Sequence, residues 1–117
     1  MPKPGDVRKI AMGFDGVREI DHFARPAFRT AKRIFAVIRP DGLWLYLPPE
    51  RKEFLFEADA ATFVRYMWGK SPELLVQLDR ISLPELKALL KEAFEQAQPP
   101  PKKSVRGAKR VSSRANR

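Results

Sequence analysis

Phe28-Arg29-Thr30-Ala31-Lys32-Arg33-Ile34-Phe35-Ala36-Val37-Ile38-Arg39-Pro40-Asp41-Gly42-Leu43-Trp44-Leu45-Tyr46-Leu47 reads as three short strands joined by two tight turns, the middle of an antiparallel sheet. Ile34 to Ile38 is rich in β-branched and aromatic residues. Leu43, Leu45 and Leu47 alternate with Trp44 and Tyr46, the period of two that sends one set to each face. Between these runs, Pro40 presets φ, Asp41 bonds its own backbone and Gly42 accepts a positive φ, which together signal a hairpin turn. Arg29, Lys32, Arg33 and Arg39 fall in the same stretch, with no acid between Asp21 and Asp41. With Arg25 just upstream, the hairpins form a local cationic patch.

Toward the N-terminus, Asp6 is placed to cap a first helix in which Val7, Ile10, Ala11 and Phe14 make the apolar stripe and Arg8 and Lys9 face out; Asp15-Gly16 ends it. Val17 to Phe23 reads as an edge or first strand, with Val17, Glu19, Asp21 and Phe23 on one side and Arg18, Ile20 and His22 on the other. Pro26 marks a turn over Ala24 to Pro26, so the next strand begins at Ala27 or Phe28. Toward the C-terminus, Pro48-Pro49 stops the sheet and Glu50 to Ala58 continues as a helix with Phe54, Leu55 and Ala58 inward. Asp59 has the character of a new cap, and Ala60 to Met67 fits a helical turn or an extended passage equally. Trp68 to Pro72 reads as a loop, and Leu74, Val76 and Leu78 as a last strand. Ser82-Leu83-Pro84-Glu85 is a capping box that opens a helix with Leu83, Leu86, Leu89, Leu90, Ala93, Phe94 and Ala97 on one face. The expected class is therefore α+β, a single antiparallel β-sheet packed against helices over residues 1–98, followed by a proline-led basic tail over 99–117.

The chain has 117 residues, enough for one core and one domain, and a formal charge of +9. Its tail holds seven cations and no acid, which leaves 16 basic and 14 acidic side chains in the first 98 residues. Composition alone predicts a disordered tail, with only Val105 and Val111 apolar after the prolines. Without cysteine and with one histidine, thiolate chemistry, disulfides and a zinc site drop out. No apolar run approaches the ~20 residues of a membrane-spanning helix, and the N-terminus lacks a signal-like apolar region, so a cytoplasmic setting is expected. No nucleophile constellation, phosphate-cradling glycine loop or metal cluster is visible, so neither an enzyme nor a cofactor is expected. His22 reads as structural, and Glu50 with Glu53, like Glu92 with Glu95, as solvated helix faces.

Charge and aromatic placement point to nucleic acid. Arg25, Arg29, Lys32, Arg33 and Arg39 suit phosphate contacts from the sheet and its turns, against the alternative of a merely solvated face. Trp68 and Lys70 add an aromatic and a cation in one loop, against a tryptophan plugging the core. Trp44 and Tyr46 share a strand face, either stacking on bases or serving as half-buried sheet covering. In the tail, Lys102, Lys103, Arg106, Lys109 and Arg110 are the leading candidates; full engagement of its seven cations gives a salt slope of about −6 on duplex DNA. No recognition helix is evident, so contact with the backbone is expected rather than sequence readout. The second reading is a small ligand-binding or protein-interaction module using the sheet face and the Trp68 loop.

Asp21-His22-Phe23, Pro26-Ala27-Phe28-Arg29, Ile34-Phe35-Ala36 and Met67-Trp68-Gly69-Lys70, in this order and spacing, resemble the MmcQ/YjbR family of small bacterial domains named as DNA-binding proteins. The resemblance covers roughly residues 5 to 97. It implies a frataxin-like (CyaY-like) α+β fold and a role in binding DNA. Where the family often has Gly-Lys ahead of Ile-Phe-Ala, this chain has Lys32-Arg33, which removes a glycine from the turn and adds charge. Iron binding does not carry over, because the first helix has Asp6 alone and no acidic ridge.

Overall fold

The computed structural model describes residues 2–98; the tail, with Lys102, Lys103, Arg106, Lys109 and Arg110, lies outside the described residues. Three helices and six strands follow in the order α1 (Pro4–Met12), β1 (Arg18–His22), β2 (Arg25–Arg29), β3 (Ile34–Arg39), β4 (Gly42–Leu45), α2 (Pro49–Ala58), β5 (Phe63–Trp68), β6 (Ser71–Val76) and α3 (Leu83–Gln96), with a 3-10 turn at Leu78–Arg80. The strands form one antiparallel sheet in the order β1-β2-β3-β4-β6-β5. The run from Phe28 to Leu47 thus supplies most of the centre of the sheet, as its alternation predicts. All three helices lie on one face, giving two layers.

The alternation in β4 sends Leu43 and Leu45 into the helix layer, with Leu47 following, all buried. Residues opposite one another across a ladder share a face, so Phe28, Ala36, Leu43, Leu45, Val76 and Phe63 point the same way. One irregularity matters. The β2–β3 register slips between Phe28 and Arg29, so that β3 carries an extra residue there. Such a bulge lets two successive residues lean to one side, and Phe35 joins Ala36 in the core. Its ring meets Phe94 of α3 edge to face at 5.8 Å, and Phe94 stacks on Phe14 at 4.8 Å.

Several local expectations shift. Asp6 is not the N-cap of α1: the helix starts at Pro4, and the Asp6 carboxylate accepts from the Lys3 backbone N–H at 2.8 Å. The helix ends at Met12, capped by Gly13, before the Asp15-Gly16 pair. The first hairpin turns at Phe23-Ala24, and Pro26 lies inside β2. Proline is tolerated there because pairing with β3 begins only at Ala27, so no ladder hydrogen bond to β3 is lost. In α2 the inward residues are Lys52, Leu55 and Phe56, while Phe54 and Ala58 face out. Lys52 follows its apolar stem inward and donates from Nζ to the Pro72 carbonyl at 2.8 Å. Asp59 caps a turn, not a helix, accepting from the Thr62 hydroxyl at 2.6 Å. The ambiguous passage after it is extended, as β5. Trp68 closes β5 and pairs with Ser71, so only Gly69-Lys70 remains as loop. Leu78 belongs to the 3-10 turn. Ser82 caps α3 as expected, its Oγ accepting from the Glu85 N–H at 3.2 Å, but the capping box is incomplete: the Glu85 carboxylate accepts from the Ser82 hydroxyl at 3.3 Å, and Leu83 stays exposed.

Gly42 takes φ +144° at the end of the β3–β4 turn, and the Gln77 side chain donates to the neighbouring Asp41 carbonyl at 2.9 Å. A Cβ at Gly42 would sit 2.8 Å from Gln77 Nε2 and 3.1 Å from the Val76 carbonyl oxygen. Gly42→Ala is therefore expected to lower the unfolding free energy by roughly 1–3 kcal/mol in urea denaturation; an unchanged midpoint would show that β4 and β6 separate freely at this end.

Candidate nucleic-acid interface

The helices cover one side of the sheet and leave the other open. Register places Arg18, Ile20 and His22 of β1, Arg25, Ala27 and Arg29 of β2, Val37 and Arg39 of β3, Trp44 of β4, Glu73 and Leu75 of β6, and Val64, Tyr66 and Trp68 of β5 on that open face. A groove of about 550 Å³ runs along it, lined by His22, Phe23, Arg25, Arg29, Lys32, Arg33, Ile34, Val37, Arg39, Trp44, Tyr66, Trp68 and Glu73. The five cations expected from the hairpins and Trp68 are thus brought into one cavity. Lys70 is exposed in the two-residue loop beside Trp68 but does not line the groove.

Among the described residues, three of the four ion pairs take up their acids on the helix side. Arg8 with Glu19 joins α1 to β1, Arg51 with Glu92 joins α2 to α3, and Arg65 with Glu53 joins β5 to α2. Among the described residues, Arg25, Arg29, Lys32 and Arg33 have no carboxylate within ion-pair distance. Arg18 stands directly opposite Arg29 across β1 and β2, and like charges opposite one another oppose pairing. The one acid in the groove, Glu73, is occupied: it accepts from Trp44 Nε1 at 2.8 Å and from the Ser71 hydroxyl at 2.7 Å.

Most of the guanidinium groups are held in place. Arg33 lies 3.5 Å over the Tyr46 ring and donates to the Ile34 carbonyl. Arg29 donates to the Thr30 and Ala31 carbonyls, which satisfies donors without neutralising charge. Arg39 makes a two-point contact with Asp41 at 2.9 and 3.0 Å and donates to the Tyr66 hydroxyl at 2.7 Å. Its charge is therefore already answered, and of the five predicted cations it is the one that acts as a brace. Burial pushes the Tyr66 hydroxyl above its ordinary value. The Asp41 carboxyl is held below its ordinary value, chiefly by the Arg39 hydrogen bonds and also by the nearby Arg25 charge.

The β2–β3 turn presents Lys32 and Arg33 without the glycine expected there. The buried Thr30 hydroxyl donates to the Ala97 carbonyl of the α3 cap at 2.7 Å and accepts from the Lys32 and Arg33 N–H groups at 3.1 and 3.3 Å. Neither Lys32 nor Arg33 needs a positive φ. Trp68 is 74% exposed at the end of β5, which overturns the reading of it as a core plug. Trp44 and Tyr46 are half-buried, as sheet covering. His22 sits beside Phe23, ring centres 4.6 Å apart, and no cluster of metal-ligating side chains occurs among the described residues. Sequence reasoning missed Arg18, Phe23 and Tyr66. The alternation of β1 already puts Arg18 with His22, but its pairing with Arg29 requires the register, and no local signal marks an exposed Phe23.

An α+β domain with helices on one side and a cationic, aromatic-rimmed sheet face on the other is the class that fold and site define. The YjbR family model matches residues 12–96, and the chain belongs to that family. No curated protein and no solved structure matches it.

Two outcomes test this geometry. In NMR titration, Asp41 should ionise below the ordinary aspartate range and move up toward it in Arg39→Ala. Since the folded value lies below the unfolded one, the stabilisation is whole above about pH 4 and is lost as pH falls below it; it is small, with Asp41 half exposed to solvent. Thr30→Val should lower stability by about 1–3 kcal/mol by orphaning the Ala97 carbonyl and two turn N–H groups, and amide exchange at Lys32 and Arg33 should accelerate.

Proposed function

We propose that this chain is a non-enzymatic nucleic-acid-binding protein that holds the phosphate backbone on its open sheet face, in a cytoplasmic setting. The observation that carries the reading is charge segregation. Among the described residues, three of the four ion pairs place their acids in or against the helix layer, while Arg18, Arg25, Arg29, Lys32 and Arg33 share the open face with no carboxylate within ion-pair distance. Folding gains nothing from facing Arg18 with Arg29; a polyanion lying over both removes the repulsion and releases its counterions. Family membership agrees with this reading, and the seven cations of the tail add affinity without sequence preference. Contact is with phosphate, since the unpaired cations gather on the sheet face that lies away from all three described helices.

A second reading rests on the size of the groove: about 550 Å³ with a half-buried Trp44 and cationic walls also fits an anionic small molecule or the acidic edge of a protein partner. No helix among the described residues is long and apolar enough to cross a membrane.

Fluorescence anisotropy with labelled DNA at several salt concentrations separates these readings. Replacing Arg25, Arg29 and Arg33 by Gln in the full chain should weaken binding and flatten the salt slope by about 2 to 3, near 0.7–0.9 for each lost phosphate contact. Replacing Lys102, Lys103, Arg106, Lys109 and Arg110 by Gln should flatten the slope further while leaving the face-dependent part. An unchanged slope in the face variant would assign all binding to the tail and move the anionic-ligand reading ahead.

A further inference from the structure

Two side chains at the rim of the groove are not accounted for by phosphate contact. Phe23 is 87% exposed at the tip of the β1–β2 hairpin, and the two residues of that loop, Phe23 and Ala24, have φ of +53° and +64°. Two-residue loops of this form normally carry Asn and Gly, because only these tolerate the left-handed region well. A bulky residue there is an outlier, and the ring repays none of the strain by burial, its one aromatic contact being the edge of His22. Trp68, at the tip of the β5–β6 hairpin, is the other strongly exposed aromatic of the face. These hairpins form the two opposite edges of the sheet, and both tips line the same groove.

Between the tips, the floor is cationic toward β2 and β3, and Trp44 and Tyr66 are tied by their polar atoms to Glu73 and Arg39. Cations alone suit any phosphate backbone. Beside these cations, exposed rings at both ends suit a polyanion that also offers flat faces, and bases in a duplex are already stacked on one another. We infer that the open face takes single-stranded nucleic acid, with Phe23 and Trp68 each stacking a base and the arginines between them holding the intervening phosphates. This rests on the nucleic-acid reading above and adds the strandedness of the ligand. Stacking on an aromatic is tolerant of base identity, because every base has a π-face, so the site follows the strand without reading it.

The test uses the full chain with labelled oligo(dT) and oligo(rU) of about 12 nucleotides and a blunt duplex of about 12 base pairs, at about 200 mM salt, where the contribution of the tail is reduced. Single strands should bind about tenfold or more tightly than the duplex. Phe23→Ala and Trp68→Ala should each weaken oligo(dT) binding by about 5- to 150-fold, the range for loss of one stacked base, with duplex affinity unchanged. Phe23→Tyr and Trp68→Phe, which keep a ring, should retain binding, and quenching of tryptophan fluorescence by oligo(dT) should fall in Trp68→Phe. Duplex bound as tightly as single strand, or alanine variants that bind oligo(dT) like the parent, would overturn the stacking inference while binding still depended on Arg25, Arg29 and Arg33. Binding indifferent to those arginines as well would overturn the nucleic-acid reading beneath it.

Discussion

The contact on which the arrangement depends is the aromatic chain Phe35–Phe94–Phe14, joining the central strand β3 to α3 and through it to the turn that follows α1. Without the slip of register between Phe28 and Arg29, strict alternation would turn Phe35 onto the open face. The bulge instead places its ring under α3. The same irregularity leaves Ile34 on the groove side and sets the length of the turn that carries Lys32 and Arg33. One extra residue in one strand thus both anchors the helix layer and aims the cationic turn.

A single layer of three helices can cover only one face of a six-stranded sheet, and the consequences run through the electrostatics. Surface ion pairs contribute little each, about 0–1 kcal/mol. Their value here is positional: Glu19, Glu92 and Glu53 are taken up on the helix side by Arg8, Arg51 and Arg65. The open face keeps its arginines unneutralised, apart from Arg39, and its single groove acid, Glu73, is fixed by Trp44 and Ser71. Stacking, carbonyl contacts and the Thr30 anchor hold several of these groups in place.

The hairpin tips belong to the same economy of the face. Gly69 takes φ +62° in the β5–β6 loop at no steric penalty, whereas Phe23 and Ala24 take comparable angles without being glycine. The contrast between the two tips sets strain apart from mere turn chemistry: only one loop spends conformational energy, and it does so to hold an aromatic ring in solvent.

Local sequence settles the α+β class, the central hairpins, the Leu43–Leu45–Leu47 alternation, the Ser82 cap with its helix, and the cationic character of Arg25 to Arg39. These follow from periodicity and turn chemistry, which act between residues close in the chain. It misplaced the turn before β2, because Pro26 is excluded from a strand only where a partner needs its N–H, and the β2–β3 pairing stops at Ala27 opposite Val37. It turned α2 wrongly, since Phe54 and Phe56 are equally apolar and only the positions of β5 and β6 choose between them. It left β5 undecided for the same reason. Which arginines stand unpaired, that Arg18 meets Arg29, that Thr30 reaches Ala97, and that Phe23 and Trp68 border one groove were decided by the tertiary structure alone. Each depends on the register between strands and on which face the helices cover, and these are set by packing between residues far apart in sequence.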